Sequence, residues 1–140
     1  MSIMESLRKY FSGCPLLDEN GKIGVDFLGN TSVEYVLETV PAEPIVKRYA
    51  DGGSIRQYVF TFASREAYGA DALNNLCNCG FYAALAEWLE KQNNSKIFPA
   101  LPDSLTPISI VVTTHGYLFD AGPDTGRYQI QCNLTYYQEA

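Results

Sequence analysis

The sequence predicts an α+β domain: an antiparallel sheet of about four to six strands, with a long central helix and an N-terminal helix packed on one face. Three observations carry this expectation. The stretch "ADALNNLCNCGFYAALAEWLEKQ" repeats apolar residues at steps of three and four, the period of an amphipathic helix. The stretch "RYQIQCNLTYY" alternates apolar and polar residues, the period of a strand with one buried face. Between two β-rich runs lies Asp51-Gly52-Gly53, whose glycines accept the positive φ of a tight hairpin turn. The order of helix, strands, long helix and two strands suits helices gathered on one side of a sheet.

Taken in order, residues 1–15 predict the first helix. Ile3, Leu7, Tyr10, Phe11 and Cys14 fall near one face, and Gly13 and Pro15 stop it. "DENGK", Asp18 to Lys22, reads as a turn, and "VDFLG" as a short strand. "SVEYVLETV" places Val33, Tyr35 and Leu37 on one side and Glu34, Val36 and Glu38 on the other, until Pro41 and Pro44 interrupt. In "PIVKRYADGGSIRQYVFTFAS" two strands flank the turn, and Tyr58, Phe60 and Phe62 share a face.

The main helix is predicted over residues 70–92. Its stripe is Leu73, Leu76, Cys77, Gly80, Phe81, Ala84, Leu85, Trp88 and Leu89. Asp71 or Ser64 supplies its start, and "NNSK" with Pro99 its end. Gly80 costs roughly 1 kcal/mol relative to Ala in a helix, so a close-packed backbone or ring is expected beside it. A Pro-punctuated connector, "FPALPDSLTP", leads to a hairpin over residues 107–138: "ISIVVTTHGYLF", the loop "DAGPDTG", and a last arm. In that arm Tyr128, Ile130, Cys132, Leu134 and Tyr136 face one way. Arg127, Gln129, Gln131, Asn133, Thr135 and Tyr137 face the other, wet or paired with a neighbour.

With 140 residues, 46% hydrophobic and 19% charged, the chain reads as one folded domain, 1–140, rather than a disordered one. A net charge of −6 argues against nucleic-acid binding, because phosphates would be repelled. No apolar run is long enough to span a bilayer, so no membrane role is expected. "MSIMESLRKYFSG" lacks the apolar core of a signal peptide, which points to a cytoplasm. There, Cys14, Cys77, Cys79 and Cys132 are expected as reduced thiols. On a helix Cys77 and Cys79 would stand about 200° apart, a poor pair for one metal.

Candidate chemistry is sparse. His115 is the single histidine, and a general base needs a nucleophile and an orienting carboxylate beside it. Asp120 and Asp124 are near, but the spacing forms no triad, and a structural or surface histidine is favoured. "YADGGS" lacks the Lys-Ser/Thr and following helix of a phosphate loop. "DAGPDTG" lacks the alternating ligands and terminal Glu of a calcium loop. No catalytic residue, cofactor or metal is expected. The last strand, by contrast, holds neither Pro nor Lys to block edge pairing, which favours assembly.

Three segments support a more specific reading. "EPIVKRYADGGSIRQYVFTFASREAYGAD" from Glu43 to Asp71, "GFYAALAEWL", and "THGYLFDAGPDTGRYQIQCNLTYYQE" resemble, in this order, a family of small proteins encoded in prophages of Gram-positive gut bacteria. These are minor capsid or tail-terminator-like proteins of tailed phages. The resemblance implies a structural virion protein without an active site. Copies would form a ring, commonly hexameric, that caps the tail tube and meets the head connector. It further implies residence in the host cytoplasm before assembly and in the virion afterwards. Beside this reading stand a different minor capsid or tail-tube component, an acyltransferase or hydrolase using His115, and a small-molecule binder in the helix–sheet crevice. For a ring, the candidate interface comprises the hairpin Asp51, Gly52, Gly53 and Ser54, expected to project as an arm, the cations Arg56, Arg65 and Arg127, and the amides Gln129 and Gln131, expected on the lumen side.

Overall fold

The computed structural model describes residues 2–17, 23–25, 34–67, 72–121 and 125–140; the side chains of 25, 34, 66, 67, 72–79, 121 and 125 lie outside that description. Helix α1 spans Ile3–Ser12 and helix α2 Ala72–Asn94. The strands are β1 (Ile23–Val25), β2 (Glu34–Thr39), β3 (Ile45–Arg48), β4 (Ser54–Ala67), β5 (Leu105–Val112), β6 (Tyr117–Ala121) and β7 (Thr125–Gln138). The expected turn at Asp18–Lys22, the helix cap at Asp71, the thiols of Cys77 and Cys79 and the tip of the last hairpin fall outside the described residues.

This corrects the predicted architecture. The fold is not a long central helix and an N-terminal helix on an antiparallel sheet of four to six strands. It is dominated by a seven-stranded mixed sheet, ordered β1-β2-β4-β7-β5, with β3 also on β4 and β6 also on β7. The sheet is mixed because β1 runs parallel to β2. Its strand count rises because the lines of strand flanking β4 and β7 are each broken in two. Beside β4, β2 pairs with residues 60–65 and β3 with 54–56. Pro41 and Pro44 lack the N–H that a continuous ladder needs. Val40 N–H on Val59 O (2.9 Å) and Gln57 N–H on Pro44 O (2.9 Å) hold the two pieces aligned. Beside β7, β5 and β6 form one strand interrupted at residues 113–116. There the Thr113 N–H donates to Gln131 O (2.8 Å), and Thr114 Oγ1 accepts the Gln131 N–H (3.0 Å). The chain then passes so close to α2 that a Cβ on Gly116 would lie 2.2 Å from Tyr82 Cβ.

The centre is the pairing of β4 with β7, unbroken from Ser54↔Gln138 to Ala67↔Thr125. One face of this pair carries Phe60, Phe62, Ile130, Cys132 and Leu134, all buried under the helices. Phe11 of α1 touches Phe60, Phe62 and Trp88, with ring centroids 5.9, 5.2 and 6.0 Å away. Each such buried phenylalanine contributes about 1.5–3 kcal/mol of transfer free energy. Tyr82 is the largest fully buried side chain of α2. Its hydroxyl donates to Tyr128 O (2.9 Å) and lies 2.7 Å from Ser64 Oγ, so the ring enters the core with its polar atom satisfied. Ser64 is therefore a β4 residue holding α2 from below, not its cap.

Of the predicted stripe of α2, Leu85 and Leu89 are buried and Phe81 and Trp88 pack partly buried against the core, with Tyr82 joining them; the side chains of Leu73, Leu76 and Cys77 lie outside the described residues. Gly80 is exposed, and among the described residues a Cβ there would meet nothing, so none of them is the expected close neighbour. Two residues beyond the helix, Lys96 takes a left-handed φ of 59°. The bonds Ile97 N–H to Gln92 O (2.9 Å) and Lys96 N–H to Asn93 O (3.1 Å) form a Schellman cap. At the start of α1, Ser2 Oγ caps the helix by accepting the Glu5 N–H (3.1 Å).

Candidate functional site

Strand alternation puts Arg127, Gln129, Gln131, Asn133, Thr135 and Tyr137 on the face of β7 away from the helices. This face is not simply wet. Gln129 is buried and its neighbours are half-buried. Arg127 reaches from β7 across β4 to form an ion pair with Glu38 of β2. Thr61 and Ala63, on the same face of β4, are buried. Arg127 Nε also donates to Gln129 Oε1 (3.2 Å), and Gln129 Nε2 donates to Tyr117 Oη (2.6 Å). The guanidinium lies 5.1 Å from the centre of the Phe119 ring, a cation–π distance. The chain Glu38–Arg127–Gln129–Tyr117 thus joins β2, β7 and β6 into one stiff surface.

A second polar chain runs beside it. Gln57 Nε2 donates to Glu43 O (2.8 Å), and Asn133 Nδ2 donates to Gln57 Oε1 (3.0 Å). Asn133 Oδ1 is buried with no hydrogen-bond partner among the described residues. Gln131 is half-buried between the two chains. The arrangement can hold shape and offer amide groups; it places no nucleophile beside a base.

The other candidates scatter. Arg65 lies on this polar face, in register with Arg127 and Glu34. Arg56 lies on the helix side, where Nε donates to Ser54 Oγ (3.0 Å). It faces Tyr136, whose hydroxyl pKa is raised by burial, with the positive charge of Arg56 acting in the opposite sense. The hairpin does not project as an arm. Asp51 Oδ1 accepts the Gly53 N–H (2.8 Å), and Gly52 has a φ of 94°. Gly53 and Ser54 are buried, and a Cβ on Gly53 would fall 2.2 Å from Tyr137 Oη. Asp51 and Gly52 alone of the four stand exposed.

His115 is exposed at the β5–β6 break and lines a hollow together with Tyr82, Ala86 and Ile130. Among the described residues no cluster of histidine, cysteine or acidic side chains is arranged to hold a metal, and no helix is long and apolar enough to cross a membrane. Cys14 and Cys132 are free, buried thiols. Burial pushes the Cys132 thiol up to about 12 and raises that of Cys14.

The edges of the sheet differ from one another. On β5, Asn93 of α2 stands where a next strand would be: its Nδ2 donates to Ile110 O (2.6 Å) and its Oδ1 accepts the Ile110 N–H (2.9 Å). On β6, Tyr117, Leu118 and Phe119 are exposed in succession, at 40%, 38% and 59%. On β3 Val46 is exposed beside Lys47 and Arg48, and Tyr49 just after the strand is exposed as well. Glu38 reads from the sequence only as a polar-face residue of its strand, Tyr117 has no local signature, and Asn93 looks like an ordinary helix-ending asparagine. No protein-family model and no curated protein sequence matches this chain.

Proposed function

We propose that this chain is a structural protein of a tailed phage or prophage, a tail-terminator or head–tail joining subunit that assembles with copies of itself into a ring. The observation that carries the proposal is β6, an edge strand with three consecutive exposed apolar side chains beside a rigid polar face. Open edges invite pairing, and proteins that act alone usually blunt them, as Asn93 does for β5. The resemblance of the segments from Glu43 to Asp71 and from Thr114 to Glu139 supports the tailed-phage setting. In this reading the partners are further copies, the tail tube and the head connector. The subunit waits in the host cytoplasm and ends in the virion, and no cofactor takes part. A lumen lined by Gln131 and a net charge of −6 would let DNA pass without adhesion.

The test is mass in solution by light scattering over a concentration series, with negative-stain images of the heaviest species. A closed ring is expected, and His115→Ala should leave it unchanged. A strict monomer at every concentration, with purified tail tubes present as well, would overturn the proposal.

A further inference from the structure

Resting on the ring reading, the geometry points to how one copy joins the next: we propose that β3 of one subunit docks along the groove between α2 and β5 of its neighbour. The groove has a volume of about 380 Å³. Its floor is Leu89 and Ile110, its outer wall the exposed Val111, and its rim Glu87 and Glu90. Glu87 and Glu90 are three residues apart on a helix, hence neighbours on one face. Among the described residues no ion pair within the chain uses either of them, nor Arg48.

The occupant is written on the opposite edge of the same sheet. There β3 presents Val46, 58% exposed, followed by the exposed cations Lys47 and Arg48. The register Arg48↔Ser54 puts Arg48 on the helix-covered side of the sheet, the side on which α2 lies. If neighbouring sheets keep the same face toward the helices, as rotational symmetry requires, Arg48 arrives at Glu87 and Glu90 while Val46 meets the apolar floor and wall. The two charges of the rim thus find the opposite sign on the incoming strand. Because groove and strand occupy opposite edges, the contact is head-to-tail, the kind that closes into rings rather than isolated pairs. Asn93 already occupies the hydrogen bonds of Ile110, so the contact is made by side chains rather than by a continued ladder.

Charge reversal tests this. In the double variants K47E/R48E and E87R/E90R, the protein concentration at which rings form should rise on the order of a hundredfold, the consequence of placing like charges face to face. The fourfold variant K47E/R48E/E87R/E90R restores complementarity and should assemble again near the wild-type concentration. Rings that form as in the wild type from either double variant would overturn the docking while leaving ring assembly intact. If the wild type forms no ring, copies carrying Arg48→Cys and Glu90→Cys are mixed and treated with a short bis-maleimide. A mixed dimer above the wild-type background supports the contact, and none overturns it together with self-assembly.

Discussion

Strand β7 carries two surfaces on one backbone, and they are held by different physics. Toward the helices, Ile130, Cys132 and Leu134 lose nearly all contact with water. Away from them, Arg127, Gln129 and Asn133 are fixed by named hydrogen bonds and one ion pair. The first surface makes the fold stable. The second spends little stability and keeps a defined shape, because net gains from exchanging water for protein partners are small. A polar outer face is ordinary for a sheet that helices cover on one side; here its side chains are also tied to one another across three strands.

The contrast can be broken most directly at the core. Phe60→Ala removes a fully buried ring under Phe11 and should cost about 3–5 kcal/mol in urea unfolding. The thiol in the same layer gives a second probe. Its pKa in the folded chain is raised to about 12 from an ordinary value of 9.0, so the unfolded state ionises first. The contribution of Cys132 to stability is therefore intact below pH 9 and lost as pH rises toward 12, at up to about 1.4 kcal/mol per pH unit. Cys132→Ala should flatten that alkaline decline; an unchanged slope would remove Cys132 as its source. On the polar face, Arg127→Ala should cost only about 1 kcal/mol, since the ion pair with Glu38 is partly exposed. A loss as large as that of Phe60→Ala would erase the distinction between the faces. Smallest of all, Gly80→Ala fills open space on a helix and should stabilise by about 0.5–1 kcal/mol, seen as a shifted urea midpoint.

Much of the covered face was legible in the sequence because it rests on local period. The alternation of β7 placed Tyr128, Ile130, Cys132, Leu134 and Tyr136 on one side, and Asp51-Gly52-Gly53 marked the turn between β3 and β4. What escaped depends on contacts between distant segments. The break at residues 113–116 follows from Gly116 passing against Tyr82, which no local pattern announces. Tyr82 sits next to Phe81 and reads as off the stripe, yet its hydroxyl has a carbonyl waiting on β7. Val36 alternates to the side of Glu34 and Glu38 and is nevertheless fully buried. The parallel partner of β2 is three residues long, too short for any period to reveal. Of the interface candidates, Arg127 and Gln129 were found as residues but not as members of one network. Their partners Glu38 and Tyr117 come from other strands.

The pairing of β4 with β7 also has a consequence for how the chain is made. Ser54 meets Gln138 and Ala67 meets Thr125, so the longest ladder in the molecule closes over the whole of α2, β5 and β6. On a ribosome adding roughly 5–20 residues per second, β4 leaves the exit tunnel seconds before its main partner exists. During that wait Phe60 and Phe62 are bare and one long edge is unpaired. Non-local pairing of this kind folds slowly. Until β7 arrives, that bare face and open edge are where off-pathway association would begin.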